Sequence, residues 1–276
     1  MSHRLPNFFI AGTQKAGTTY LARMLGAHPE IYFSKPKELF LFGRSDMNQE
    51  MFDDYLRNYF SAERIEASKR GRKSRFIGEG STTYFQSRIA LSNMNKCLGT
   101  DFKAIVILRH PVEKLLSYYM HHYVRGRFDA SKAIGDSSIA RTSMYAKHLR
   151  RWIDDIGFER FFPMKFDSLR ENPLEFVNSA VRFAGLQPLK KVSRRKINAG
   201  FEMVRRGDYV EPRFSKNPPS PTLQIPRFAM TDLADLQKRF LPDVKRTQAL
   251  VGFDLTPWME LPEFRQPENE SALVRK

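Results

Sequence analysis

Residues 7–29 read NFFIAGTQKAGTTYLARMLGAHP. A short apolar run ends at Gly12, a loop with a single lysine follows, and beyond Gly17 apolar residues recur at Tyr20, Leu21, Met24 and Leu25. The first run suits a buried strand. The second has the spacing of a helix face and is closed by Gly26 and Pro29. Strand, glycine loop and helix in that order open a parallel α/β unit. Such a loop aims backbone N–H groups, and the positive end of the helix dipole, at whatever lies before it, which makes it an anion site. Gly12 to Gly17 has the G-x-x-x-x-G spacing of a phosphate loop, but Thr18-Thr19 follow where a nucleotide triphosphatase carries Lys and then Ser or Thr. In a triphosphatase that lysine reaches the β- and γ-phosphates and the hydroxyl holds Mg²⁺. Here the lysine is Lys15, inside the loop, and the natural ligand is a shorter phosphate group bound without metal. Gly17 permits close backbone approach, and the Thr18 and Thr19 hydroxyls add donors. The bland alternative is an ordinary tight strand–helix turn.

The rest of the chain repeats the alternation. EIYFS, RFIGEG and FFPMKF read as strands, and Ser81 or Thr82 reads as the cap of a helix after Glu79. FKAIVIL is continuously apolar from Ala104 to Leu108, as a central strand buried on both faces should be, and Pro111 fits the first turn of the next helix. Helices are predicted over about 139–156, over NPLEFVNSAVRFAGL and over about 230–250. Between about 187 and 228 periodicity fails and Pro, Arg, Lys and Ser dominate, which predicts an irregular loop or lid. With 276 residues, 41% hydrophobic, the expectation is one α/β domain over 1–276, P-loop-like, with a central parallel sheet flanked by helices.

A second loop sharpens the first. In VILRHPVEKLLSYY, Arg109 stands where the central strand ends and Ser117 lies about two turns into the following helix. The C-terminal edge of a parallel sheet is where such folds bind ligands, and an arginine fork with a hydroxyl suits a phosphate. Two phosphate sites on one sheet edge suggest a nucleotide with phosphates at its 5′ and 3′ ends.

TQKAGTTYL and ILRHPVEKLLSYY resemble the 5′- and 3′-phosphate motifs of the sulfotransferases that use 3′-phosphoadenosine 5′-phosphosulfate. HPEIYFSKPKELFLF and SMYAKHLRRWIDDIGFERFFPMKFDSLRENPLEFVNSAVRFAGL are similar to the branch that holds heparan sulfate sulfotransferases and many bacterial relatives. The likeness runs from about residue 7 to 201. It implies a P-loop-like fold that moves a sulfuryl group without metal. Lys15, Ala16, Gly17, Thr18 and Thr19 would hold the 5′-phosphosulfate, with Lys15 also stabilising charge on the bridging oxygen as the S–O bond breaks. Arg109 and Ser117 would hold the 3′-phosphate. Glu38 in KELFLF matches the branch's presumed base, although Phe40 stands where relatives have His. Glu79, at another strand end, is the runner-up base, or else a residue that orients a lysine. Relatives often carry Lys after it, where this chain has Gly80. His121 and His122 read more simply as helix-surface or packing residues. Tyr145 and Trp152 match aromatic positions of the branch, Trp152 as core. Lys196, Asn198 and Gly200 match a loop that closes over the 3′ side.

The net charge is +16, which favours anionic partners. The acceptor expected is a hydroxyl or amine on a carbohydrate or small metabolite; the charge fits an acidic glycan, and it fits equally well the pull on the anionic cofactor alone. A P-loop kinase is disfavoured because Thr18 replaces the Walker lysine and no Asp at a strand end is placed for Mg²⁺. A nucleic-acid module is disfavoured because the basic clusters at 68–75 and 190–196 lack regularly interleaved aromatics. The single Cys97 suits a reducing compartment, no apolar run is long enough to span a bilayer, and no signal-peptide pattern opens the sequence. The expectation is a soluble cytoplasmic enzyme.

Overall fold

The computed structural model describes residues 3–69, 74–128, 133–193, 201–214 and 223–266. In chain order the elements are β1 (Phe8–Gly12), α1 (Thr18–Ala27), β2 (Ile31–Phe33), α2 (Gln49–Tyr59), α3 (Ala62–Lys69), β3 (Phe76–Gly80), α4 (Arg88–Leu98), β4 (Lys103–Leu108) and α5 (Pro111–Tyr123). There follow α6 (Ser137–Ala140), α7 (Ala146–Ile156), β5 (Phe161–Lys165), α8 (Phe166–Glu171), α9 (Pro173–Phe183), β6 (Phe201–Arg206), β7 (Tyr209–Phe214), β8 (Phe228–Ala229) and α10 (Met230–Gln248). The chain divides into two compact units, one of residues 1–109 and 147–195 and one of residues 110–146 and 196–276.

The first unit is an α/β layer structure around a five-stranded sheet of order β2-β3-β1-β4-β5, parallel throughout. Its core follows from the sequence. The residues of β1 and those of β4 from Ala104 on are buried, so both strands are covered on both faces. Successive side chains alternate. The Phe8 ring meets Phe76 and Phe183 on one face, and Phe9 meets Phe42 and Phe102 on the other. Trp152 is fully buried, stacks on Phe161 and donates its indole N–H to the Phe85 carbonyl at 3.1 Å.

The second unit holds α5, α6, α10 and a three-stranded antiparallel sheet, β6-β7-β8. Asp243 of α10 is buried and accepts the Tyr145 N–H at 2.6 Å and the Ala146 N–H at 3.4 Å. Those two bonds explain a departure from the sequence reading. The stretch 139–156 is not one helix but α6, a 3₁₀ turn at Arg141–Ser143, an extended Met144 and then α7. The Asp243 carboxylate takes the first two N–H groups that a continuous helix would have turned inward. Residues 201–214 lie inside the stretch read as irregular, yet they form a hairpin with Arg206 opposite Tyr209 across the pair Gly207-Asp208. Gly207 has φ 59, the conformation such a tight turn needs. Among the described residues no helix is long and apolar enough to cross a membrane.

Candidate functional site: the C-terminal edge of the parallel sheet

Lys15, Ala16, Gly17, Thr18 and Thr19 lie on the loop and first turn that follow β1. The loop is pinned from below. Thr13 donates both its N–H, at 3.1 Å, and its hydroxyl, at 2.9 Å, to the Ile107 carbonyl of β4. Lys15 has φ 63 and Gly17 φ 81, so the chain makes two left-handed steps before entering α1. Only glycine fits the second step, because a Cβ there would lie 2.7 Å from Leu169 and 3.0 Å from Phe166. Gly17 offers no side-chain cap to α1, and the first turn carries no acidic residue. The leading N–H groups and the positive helix end are thus left for an anion. That donor set fits a phosphate or phosphosulfate group. Thr18 is buried, Thr19 exposed and Ala16 packed in the core.

Arg109 lies one strand away, directly after β4. It donates to the Lys15 carbonyl at 2.9 Å, and its guanidinium sits 4.8 Å from the centre of the Phe166 ring. Arg170 lies over the same ring at 4.9 Å. A predicted phosphate ligand is therefore also a brace for the loop beside it. The short helix α8, absent from the sequence reading, supplies Phe166 and Leu169 to that brace. Ser117 is half-buried on α5, in the other unit. Lys196, Asn198 and Gly200, and residues 70–73 and 194–196 of the two basic clusters, lie outside the described residues.

On the other side of β1 lies β3, which carries Glu79, and the chain that follows β2 carries Glu38. Glu38 is part-exposed. Its carboxylate accepts the Thr82 N–H at 3.0 Å and the Thr82 hydroxyl at 3.0 Å, and the Lys37 ammonium pairs with it. The stem of Lys37 runs over Gly80, where a Cβ would meet it at 3.2 Å, so the place beside Glu79 that lacks a side chain is covered by Lys37. Thr82 does not cap a helix. Residues 81–87 form a turn, and Ser87 caps α4 by accepting the Ala90 N–H at 3.0 Å. Sequence reasoning read Thr82 only as a possible helix cap and Lys37 only as a possible surface partner of Glu38, not as the pair that orients its carboxylate. The available signal was a run of hydroxyl residues, Ser-Thr-Thr, straight after a strand end.

Glu79 is sealed. It is 0% exposed, accepts the Tyr55 hydroxyl at 2.7 Å and the Tyr84 hydroxyl at 3.4 Å, and receives the Ser81 hydroxyl on its other oxygen. Burial pushes its carboxyl up to about 7. The three hydroxyl bonds pull the other way, and the Glu38 charge adds to the rise. Burial raises the Tyr55 and Tyr84 phenols well above their usual range, and the Glu79 charge adds to it. Trp152 and Tyr145 are both core residues. His121 meets the Arg125 guanidinium just past the end of α5, and the His122 ring stacks on Phe128. Among the described residues no three His, Cys, Asp or Glu side chains gather as metal ligands would.

Comparison with known proteins gives the chain a family. The family model described as "Sulfotransferase family" matches residues 6–190. The human bifunctional heparan sulfate N-deacetylase/N-sulfotransferase 2 is 25% identical over 213 residues, 69% of this chain and 23% of its own length. The membrane-associated sulfotransferase kil1 of Dictyostelium discoideum is 33% identical over 116 residues, 42% of this chain and 22% of its own. The chain thus spans under a quarter of the length of these curated relatives. The crystal structure of a sulfotransferase from Alicyclobacillus acidocaldarius superimposes with a TM-score of 0.63 at 24% identity, over 93% of this chain and all of that one, a likeness of fold.

The sealed carboxyl sets a pH dependence. Glu79 rises from 4.5 in the unfolded chain to about 7 in the folded one, so between those values the folded chain keeps a proton that the unfolded chain has lost. Its contribution to stability is complete below the lower value and declines as pH rises through the upper one, by at most about 1.4 kcal/mol per pH unit. Urea unfolding of wild type and Glu79→Gln from about pH 4.5 to 8 should show the difference between them falling across the interval and levelling above it. A difference that does not change with pH would contradict the assignment.

Proposed function

The chain belongs to the sulfotransferase family, and from that premise we propose that it moves the sulfuryl group of 3′-phosphoadenosine 5′-phosphosulfate to a hydroxyl or amine without metal. The observation that carries this reading is the uncapped N-terminus of α1 behind a left-handed Lys15–Gly17 loop, braced by Arg109. The bound donor supplies the sulfuryl group. The chain's own residues do the rest. Amides at the start of α1, with the Thr18 and Thr19 hydroxyls, hold the 5′ side. Arg109 and Ser117 hold the 3′-phosphate. Lys15 stabilises the bridging oxygen as negative charge grows there, which makes its interaction strongest in the transition state. Glu38 takes the acceptor's proton, its carboxylate aimed by Thr82 and Lys37. Of the two carboxylates Glu38 is the accessible one, since Glu79 has no exposed surface. The acceptor class we favour is a carbohydrate, supported by the heparan sulfate relatives and by a charge of +16 that suits an acidic glycan. A cytoplasmic setting is supported by the single cysteine.

Two experiments test this. In calorimetric titrations with EDTA present, adenosine 3′,5′-bisphosphate should bind at least about tenfold more tightly than adenosine 5′-phosphate, because charge-assisted bonds to the 3′-phosphate contribute about 1.5–3 kcal/mol. Ser117→Ala should narrow the gap by weakening the bisphosphate alone. Arg109→Ala should weaken both nucleotides, because Arg109 also braces the Lys15 carbonyl. Equal binding of the two, or a strict need for Mg²⁺, would contradict the reading. For Lys15→Ala, the transfer rate should fall far more than the affinity for the bisphosphate product, and equal losses would reduce Lys15 to a binding residue.

A further inference from the structure

The turn that carries Glu38 is unusual. Glu38 has φ 71 and Phe40 φ 59, so two residues with side chains hold left-handed conformations two positions apart. Such a turn persists only where its surroundings over-determine it. Packing alone does not hold Phe40, which is 43% exposed. Hydrogen bonds do. The Glu38 N–H reaches the Gly80 carbonyl at 2.9 Å, the Phe40 N–H reaches the Ser81 hydroxyl at 2.9 Å, and the Phe42 N–H reaches the Tyr84 hydroxyl at 3.2 Å. A hydroxyl has one hydrogen to give. Ser81 and Tyr84 each accept an N–H from the turn and pass their own hydrogen to one carboxylate, that of Glu79. An ionised carboxylate only accepts, so it fixes the direction of both bonds, whereas an amide in its place would keep one acceptor oxygen and offer a donor on the other side, where a hydroxyl needs an acceptor. The residue after Ser81 is Thr82, whose N–H and hydroxyl orient the Glu38 carboxylate.

We propose that Glu79 is a positioning residue that acts through Ser81 and Tyr84 to fix the 38–42 turn, and with it the direction of the Glu38 carboxylate. The proposal rests on the reading of Glu38 as the base. It gives a use to a carboxylate that no substrate reaches and that an apolar core would not otherwise retain. The titratable groups facing Glu79 are Tyr55 of α2, Tyr84 of the turn after β3 and Glu38 itself. Protonation of Glu79 turns one of its acceptor oxygens into a donor.

The test is a double-mutant cycle. Glu79→Gln, Ser81→Ala and Tyr84→Phe are each made alone and together with Glu38→Gln, with Tyr55→Phe as the control that touches Glu79 but no turn amide. Turnover is measured with an acceptor and labelled donor, product affinity with adenosine 3′,5′-bisphosphate, and hydrogen exchange at the Phe40 and Phe42 amides. Expected are a fall in kcat of about tenfold or more with unchanged bisphosphate affinity, faster exchange at Phe40 in Ser81→Ala and Glu79→Gln, and no further loss of kcat once Glu38 is Gln. Equal fold-losses in both backgrounds, or unchanged exchange at Phe40, would overturn the proposal. Should Glu79→Gln fail to fold, Ser81→Ala and Tyr84→Phe decide by the same readouts. Full activity of Glu38→Gln alone would remove the base reading instead, and the exchange data would then decide whether Glu79 holds the turn.

Discussion

The parallel pairing of β1 between β3 and β4 sets everything else at this edge. Ile10 stands beside Gly80 on one side and Ile105 on the other, so three strands end close together and their three exit loops become neighbours. The loop after β1 carries Lys15, the turn after β3 carries Ser81 and Thr82, and Arg109 follows β4 directly. Because the strands are parallel, all three exits lie at their C-terminal ends, where such sheets leave a crevice. The bond from Thr13 to the Ile107 carbonyl stitches the first exit to the third.

Charge at this edge is placed by geometry more than by stability. The Lys37–Glu38 pair is part-exposed, with side chains 16% and 28% accessible, and such pairs contribute about 0–1 kcal/mol. Its effect is to aim a carboxylate. Glu79 is the reverse case. Burying it is costly, and three hydroxyl donors offset the cost only in part, which is why burial still pushes its carboxyl up to about 7. A carboxylate kept at that cost next to a left-handed turn has a use beyond packing. The proposed phosphate loop needs no buried charge at all, because backbone N–H groups at the start of α1 bring the positive field.

The elements with one strong periodic signal were legible in the sequence. The continuous apolar run of β4, the strand–glycine–helix opening and Pro111 at the head of α5 all stand where the pattern puts them, because burial on both faces and a fixed proline φ leave few alternatives. What was not legible depended on distant partners. The break before α7 needs Asp243, nearly a hundred residues on. The 81–87 turn reads as a helix start until Glu38 and Phe40 are seen to use its hydroxyls. The hairpin at 201–214 carried a local signal, Gly-Asp between strand-like residues, which the surrounding Arg and Pro masked. Helix α8 is too short to show a period, yet it shapes the loop through Phe166 and Leu169. At the site, the loop pattern pointed to Lys15 and Arg109, and the family resemblance to Glu38. It gave no sign that Arg109 also braces the loop or that Lys37 covers Gly80.

The most direct measurement is transfer itself. The chain is incubated with 3′-phosphoadenosine 5′-phosphosulfate carrying radiolabelled sulfur and with a panel of glycans, with and without EDTA. Label should appear in a hydroxyl- or amine-bearing glycan at the same rate in both, together with stoichiometric adenosine 3′,5′-bisphosphate. Label that never leaves the donor across the panel, or transfer that stops when EDTA is added, would contradict metal-free sulfuryl transfer at this sheet edge.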